Sequence, residues 1–401
     1  MKKTLIFLFL ITSFTQINAQ TSDSVSTGAS NANTVYYSFK NGIIKAQPNN
    51  DWDLAFEISG FAASILANHV RGLLVWQSPY SFANWSTFDT VNCASWKKMY
   101  NSPQLWSKGA FNLHANNNND PYDLGWGTYD PASHIVSGDS IYLIKLGNGQ
   151  FKKLTILNLS TGIYNIRYAN LDGSNESTKS IDKANYKGKN FGYFAFDTES
   201  SLDREPASAD WDIAFTKYTE FVPTPYNVAG VWTNKGNKTA EARDVPLSTI
   251  NYSAFRFSDS NAIIGYDWKK YNQPLNKYDI TNNLVYFVTT KEATWKMIFT
   301  GYKGGASGTY YFTKEAMSAS IIKPNSALSS IRLYPNPSQS VITIELPANT
   351  ALSNYAIKSI SGQTLAEGNE LEVNVSPLSS GIYYIILNTT QGVQILKFSK
   401  I

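Results

Sequence analysis

The sequence predicts an all-β fold, built mainly from antiparallel sheets, and three observations carry that prediction. Aromatic residues reach 14% of the 401-residue chain while charged residues supply only 16%; with abundant Thr, Ser, Asn and Gly, this composition favours pleated, half-buried surfaces and tight turns. Apolar side chains alternate with a period of two, as in residues 140–145 and 151–157, which are separated by Gly147, Asn148 and Gly149. Such alternation around a Gly/Asn turn is the mark of a hairpin. The same cadence then occurs a second time further along the chain. A chain of this length exceeds what one hydrophobic core usually organises, so several domains are expected.

In chain order, Lys2 and Lys3 precede an apolar run over residues 5–14, and Ile17, Asn18 and Ala19 offer a cleavage site. Residues 1–19 are therefore expected to be a secretory signal peptide, too short in its apolar part to span a bilayer. No Cys follows the expected cut, which argues against a lipoprotein anchor, and no transmembrane span is predicted elsewhere. Residues 20–33 are small and polar and suggest a flexible linker.

An internal repeat organises the next stretch. Val35, Tyr36, Tyr37, Ser38 and Phe39 are followed by Asp51, Trp52, Asp53, Leu54, Ala55 and Phe56; Tyr193, Phe194, Ala195 and Phe196 are followed by Asp210, Trp211, Asp212, Ile213, Ala214 and Phe215. Residues 72–76 answer 229–232, and Trp126 to Tyr129 answers Trp268 to Tyr271. Each half ends in alternating strands, at 140–168 and at 283–312. The expected modules are 34–175 and 188–317, with a polar linker at 176–187. After a second linker at 318–328, residues 329–401 carry short strands with regular turn signals and suggest a small β-sandwich. Within it, residues 381–387 are expected to pair with 394–398.

Composition removes several kinds of chemistry. Cys93 is the sole cysteine and there are three His, so a disulfide framework or a zinc ribbon cannot be drawn. A net charge of +4 without a basic cluster gives no footprint for nucleic acid. Neither a Gly-x-Ser-x-Gly elbow nor a His-Glu-x-x-His pair occurs, and the protein is expected not to be an enzyme. A pair of carboxylates suited to glycoside hydrolysis is the one catalytic arrangement that sequence cannot test.

The C-terminal unit resembles the type A sorting domain of the type IX secretion system of Bacteroidetes, through Leu333, Tyr334, Pro335, Asn336, Pro337, Ser338, Ser361, Gly362, Gly381, Ile382, Tyr383, Tyr384 and residues 393–401. The resemblance implies handling by the type IX machinery, removal of the domain, and release or attachment at the cell surface. The two central modules resemble the HmuY family of haem-scavenging surface proteins, through the Tyr-x-Phe strands, the Trp-Asp-x-Ala-Phe segments at 52–56 and 211–215, and the hairpins over 140–168. That resemblance implies a haem ligand, or a haem protein of a host as partner. It also implies an iron-binding His about five residues after the Trp that precedes the final hairpins. Here Trp126 is followed at that offset by Pro131, and Trp268 by Gln273.

The candidate haem ligands are therefore His134, just before the hairpin set, and His114 in the preceding irregular region; His69 and Met99 are secondary candidates. An iron–imidazole bond needs a neutral ring in an apolar cleft. Met297, alternating with Trp295 and Phe299, is expected in the core. Asp53 and Asp212 are expected to satisfy backbone donors at a strand crossing, with Trp52, Leu54 and Phe56 on one strand face. The oxygen-rich run at 116–123 lacks the spacing of a calcium loop. The segment 301–308 is expected to be a hairpin turn. The expected function is that of a secreted or cell-surface, non-catalytic, ligand-binding protein that captures haem. The alternative is a glycan-binding or adhesion protein on the same scaffold, with Trp85, Trp96 and Trp106 stacking on sugars.

Overall fold

The computed structural model describes residues 20–115, 119–245, 250, 252–317, 331–348, 350–359, 363–390 and 392–401. The expected signal peptide 1–19, the expected linker 318–328, Ser361, Gly362 and the first three residues of the 116–123 run lie outside the described residues. The fold is all-β, and the helices among the described residues are 3-10 turns of three or four residues. Two compact units are present, residues 1–317 and 318–401.

The larger unit runs through β1 (Thr21–Ser26), β2 (Asn33–Ser38), β3 (Gly42–Pro48), β4 (Leu54–Glu57), β5 (Ile65–Ala67), β6 (Leu74–Ser81), β7 (Lys97–Met99), β8 (Gly127–Asp130), β9 (Ile135–Gly138), β10 (Ser140–Lys145), β11 (Phe151–Ser160) and β12 (Ile163–Asn170). The sequence then repeats itself. β13 (Ser177–Asp182), β14 (Phe191–Ala195), β15 (Ser200–Leu202), β16 (Ile213–Phe221), β17 (Pro225–Thr233) and β18 (Lys238–Arg243) follow. The last are β19 (Lys269–Asn272), β20 (Lys277–Ile280), β21 (Leu284–Thr289), β22 (Thr294–Tyr302) and β23 (Thr309–Met317).

These strands form two sandwiches. In the first lobe, the sheet β13-β12-β11-β10-β6-β7 covers the sheet β15-β14-β4-β5; in the second, β1-β23-β22-β21-β18 covers β17-β16-β2-β3. The repeats therefore exchange their opening strands. β14 of the second repeat pairs with β4 of the first, placing Tyr193 opposite Ala55. β2 of the first repeat pairs with β16 of the second, placing Tyr36 opposite Ala214. Each core is built from both repeats: Leu54, Phe56, Trp126, Tyr142 and Tyr168 pack with Phe194 and Phe196, while Val35, Tyr37 and Phe39 pack with Ile213, Phe215, Trp268 and Met297.

Several segments differ from their local sequence signal, each for a tertiary reason. Thr21–Ser26 has the composition of a tether, yet it is β1 and pairs along its length with β23. Val25 is fully buried in the second core, a contribution of about 1.5–3 kcal/mol, and the polar residues around it face outward or hydrogen-bond. Ser177–Asp182 in the polar linker is β13, with Ile181 buried. Trp52 does not share a face with Leu54 and Phe56, because β4 starts only at Leu54; it packs with Ala55 and Tyr193 on the opposite face. Trp76 and Trp232 are not equivalent either: Trp76 pairs with Leu143, whereas Trp232 lies opposite Ala214. The segment 301–308 turns between β22 and β23, and Met297 is buried in the core.

The repeated Trp-Asp pair fastens the exchange. Asp53 Oδ2 accepts the Phe196 N–H at 2.7 Å, and Asp212 Oδ2 accepts the Phe39 N–H at 2.7 Å. Two asparagines complete the motif. Asn68 Nδ2 donates to the Trp52 carbonyl at 2.8 Å and Asn234 Nδ2 to the Trp211 carbonyl at 2.6 Å. The two aspartates differ in their other partners: Arg71 donates to Asp53 at 3.0 Å, whereas the Ser38 and Asn237 side chains hydrogen-bond Asp212. Burial pushes the carboxyl pKa of both upward, so part of each carboxylate's interaction is offset by desolvation. Asp53→Ala strands a backbone donor and leaves the mostly covered Arg71 guanidinium with Asp197 alone, and is expected to cost about 2–4 kcal/mol; Asp212→Ala strands a backbone donor and frees the Ser38 and Asn237 side chains, and is expected to cost about 1–3. Paired urea unfolding curves check the order.

The C-terminal unit is a small sandwich. β24 (Arg332–Tyr334), β25 (Val341–Glu345) and β28 (Glu372–Asn374) form one sheet, and β26 (Leu352–Ser359), β27 (Thr364–Gly368), β29 (Gly381–Thr389) and β30 (Gly392–Lys400) the other. Ile342, Ile357, Ile385, Leu387 and Phe398 fill the space between them. The expected pairing is present, with Ile385 opposite Leu396. The Asn-Pro-Ser segment clamps β30: Asn336 Oδ1 accepts the Ser399 N–H at 2.9 Å, and the Ser338 N–H donates to the Ser399 carbonyl at 2.9 Å.

Candidate functional site

The exchange leaves the outer faces of the two smaller sheets lined with aromatic rings. On the first, Ala55, Leu66, Phe191 and Tyr193 are joined by Trp52 and Trp106; on the second, Tyr36, Trp211 and Ala214 are joined by Trp106 again. Trp106 thus bridges the lobes. Its Nε1–H donates to the Thr233 carbonyl at 2.9 Å, and its ring meets Trp232 edge-on at 5.0 Å. The repeat shows in the geometry: Trp52 meets Tyr193 edge-on at 5.1 Å, and Trp211 meets Tyr36 edge-on at 5.0 Å.

A cavity of about 70 Å³ lies in this layer, lined among others by Trp52, His69, Trp106, Trp211, Tyr218 and Trp232. Arg204 and Glu205, on the crossing between β15 and β16, hold one wall. Arg204 donates to Asp51 Oδ1 at 3.0 Å and to the Pro48 carbonyl at 2.5 Å, with its guanidinium 5.0 Å from the Tyr193 ring centre. Glu205 accepts from the backbone N–H groups of Asn190 and Phe191 and from the Tyr193 hydroxyl. Burial pushes its carboxyl up to about 7.

His69 is the most informative lining residue. Its Nδ1 is 2.8 Å from the Leu73 carbonyl; a carbonyl only accepts, so Nδ1 carries the proton and Nε2 presents a lone pair. Burial holds the imidazole pKa down to about 4, so the ring is neutral at physiological pH. Nε2 has no hydrogen-bond partner among the described residues, and the same is true of Trp211 Nε1, Trp232 Nε1 and the Tyr218 hydroxyl. Residues that line the cavity therefore carry two unused donors, on Trp211 and Trp232, and one unused acceptor, on His69, while the Tyr218 hydroxyl lies beside Gly265.

The other sequence candidates lie elsewhere. His134 is exposed on the turn between β8 and β9, at φ 58, with Nδ1 2.7 Å from the Tyr129 hydroxyl. His114 is half-buried with Nδ1 3.4 Å from Lys97 Nζ; burial first, and then Lys97, lower its pKa. Neither lines the cavity between the lobes. Met99 is buried in the first core. Trp85 is buried, with Arg167 and Lys153 over its ring at 4.5 and 4.8 Å. Trp96 is half-buried and meets Phe88 and Tyr80 edge-on. Of these three tryptophans Trp106 alone lines the cavity. Among the described residues no cluster of three or more His, Cys, Asp or Glu forms, and no helix is long and apolar enough to cross a membrane.

Tyr218, Arg204 and Glu205 gave no local signal in the sequence, and Trp232 stood out only as the end of the repeated segment 229–232. Arg204 and Glu205 precede Pro206 where the first repeat has Ala46 and Gln47 before Pro48, and that gain of charge in a duplicated segment is the signal that singles them out.

No curated protein matches the chain, and no solved structure does. Residues 332–400 match the family described as the secretion system C-terminal sorting domain. The match covers the C-terminal sandwich, and a sorting domain there supports secretion through the type IX system to the cell surface or the extracellular space.

Proposed function

We propose that the protein is a non-catalytic binding protein of the cell surface, and that the aromatic cleft between its lobes takes the edge of a neutral sugar ring at the end of a glycan. The observation that carries this reading is that three residues lining the aromatic cleft, His69, Trp211 and Trp232, each hold an unpartnered polar atom. Buried polar groups are normally paired, and a sugar hydroxyl, which both donates and accepts, satisfies such a mixed set while the ring face packs on Trp or Tyr. Glu205 is the one carboxylate of the lining, and its oxygens are engaged by Asn190, Phe191 and Tyr193. Glycoside hydrolysis needs two carboxylates.

A second reading keeps haem, with His69 in the place expected for His134. An imidazole whose Nδ1–H is fixed by a carbonyl aims Nε2 as a metal ligand should be aimed. The enclosed space of about 70 Å³ lies far below the roughly 300–1,000 Å³ of typical ligand pockets, so a porphyrin requires the lobes to part.

The two readings separate in one pair of measurements on the intact chain. A glycan array is expected to show retention that Trp232→Phe and His69→Ala each weaken about tenfold, the loss of one good hydrogen bond to a buried partner. Haemin titration is expected to leave the Soret band unshifted. A stoichiometric Soret shift that His69→Ala abolishes would replace the sugar with haem, and silence in both assays would remove the cleft as the site.

A further inference from the structure

The second lobe contains another cavity, of about 400 Å³, lined by Lys217, Tyr226, Tyr266, Lys269, Tyr278 and Tyr302 together with small and apolar residues. No Asp or Glu is among its described lining residues. Lys269 starts β19, and its ammonium is enclosed by π faces, 4.2 Å from the Trp268 ring centre and 4.8 Å from that of Tyr302. Nζ donates to the Ala229 carbonyl at 2.6 Å and to the Tyr266 carbonyl at 3.3 Å. A lysine has three N–H donors, so one remains for the cavity. Other charged groups do not neutralise it. Asp267, whose field reaches Lys269, is exposed and paired with Arg243 at 2.8 Å. Lys217 on β16 adds a like charge, and Tyr266, Tyr278, Tyr302 and Tyr310 are uncharged at neutral pH because burial raises each of them.

A buried ammonium without a carboxylate partner is costly. Aromatic faces repay part of that cost and two carbonyls another part; a counter-ion entering from the cavity repays the rest. We infer that this cavity is an anion site, which takes a carboxylate or sulfate ester carried on a ring small enough to stack on its tyrosines. The charge-assisted contact goes to Lys269, with Lys217 at the rim and Tyr266 and Tyr278 against the ring. The site is separate from whatever fills the cleft between the lobes. Burial holds the Lys269 amine down to about 7, and an anion favours its protonated form, so binding takes up a proton around neutral pH and strengthens on acidification.

Calorimetric titration of the intact chain with glucuronate, with glucose 6-sulfate and with glucose as the neutral control tests the inference. Both anions are expected to give saturable heats at about pH 6 that weaken by about tenfold toward about pH 8.5, while glucose gives none at this site. Lys269→Met is expected to weaken glucuronate by about tenfold or more. Lys269→Arg, whose charge does not titrate, is expected to keep binding and lose its pH dependence. Absence of saturable heat with both anions at the acid pH, or unchanged affinity in Lys269→Met, overturns the site. Where Lys269→Met fails to fold, the amine's own titration midpoint, followed by NMR in the wild type, must rise with glucuronate; a midpoint that stays put counts equally against it.

Discussion

Expressed alone, residues 50–205 are expected to fold, and residues 34–175 are not. The first fragment carries β4 to β15 and therefore both sheets of the first lobe. The second follows the sequence repeat, and keeps β2 and β3, whose partner β16 it lacks, while losing β14 from the edge of β4. With β14 go Phe194 and Phe196, whose rings contact Tyr168 at 6.1 and 5.1 Å. Removing a buried Phe costs about 3–5 kcal/mol, and a domain's whole stability is only about 5–15 kcal/mol. Losing both rings, the strand hydrogen bonds and the cap on Asp53 exceeds that margin. Fragment 50–205 is expected to melt cooperatively and to give dispersed amide resonances. It bares the face of Trp52, Leu66 and Tyr193, so dilute conditions suit the measurement. A cooperative melt of fragment 34–175 would show that the exchange is not needed for the lobe to form.

The strands were legible because their signals are local. Alternation over Ile141, Leu143 and the neighbouring residues, and the Gly and Asn turns between them, require no knowledge of the partner. The duplication itself concealed which partner each strand takes. Tyr36 meets Ala214 and Tyr193 meets Ala55; pairing within each repeat would bring together the same residue types, so a periodicity argument cannot tell the two arrangements apart. β1 was hidden for another reason. One buried side chain, Val25, holds it in a run of Thr, Ser and Asp, and no two-residue pattern emerges from a single apolar position. The cleft was the least legible feature. His69 lies beside Asn68 in a loop without a motif, and its neighbour Tyr100 and the tryptophans around the cavity come from segments far apart in sequence. By contrast His134, which its place just before the hairpin set favoured, ends on an exposed turn. A turn next to a strand pair has the same sequence character whether it faces a cleft or solvent.

The same cleft is expected to make stability depend on pH through two groups that oppose each other. His69 titrates at about 6.5 when unfolded and about 4 when folded. Between those values the unfolded chain binds the extra proton, so stability falls as pH drops from 6.5 toward 4, by about 3 kcal/mol in all. Glu205 runs the other way. Its folded value of about 7 lies above the ordinary 4.5, so the folded chain binds the extra proton, and this contribution is full below 4.5 and lost as pH rises through about 7. Over the shared window the two slopes partly cancel in the wild type. Each substitution is expected to expose the other group. His69→Gln leaves Glu205 acting alone, and stability relative to wild type improves on acidification; Glu205→Gln leaves His69 alone, and the acid loss steepens by about 3 kcal/mol. Urea midpoints of the three proteins across this pH range give both differences, and groups common to all three drop out of the comparison. If His69→Gln tracks the wild type, the imidazole is already accessible to protons in the folded chain, and its Nε2 is not the buried acceptor on which the sugar and haem readings both depend.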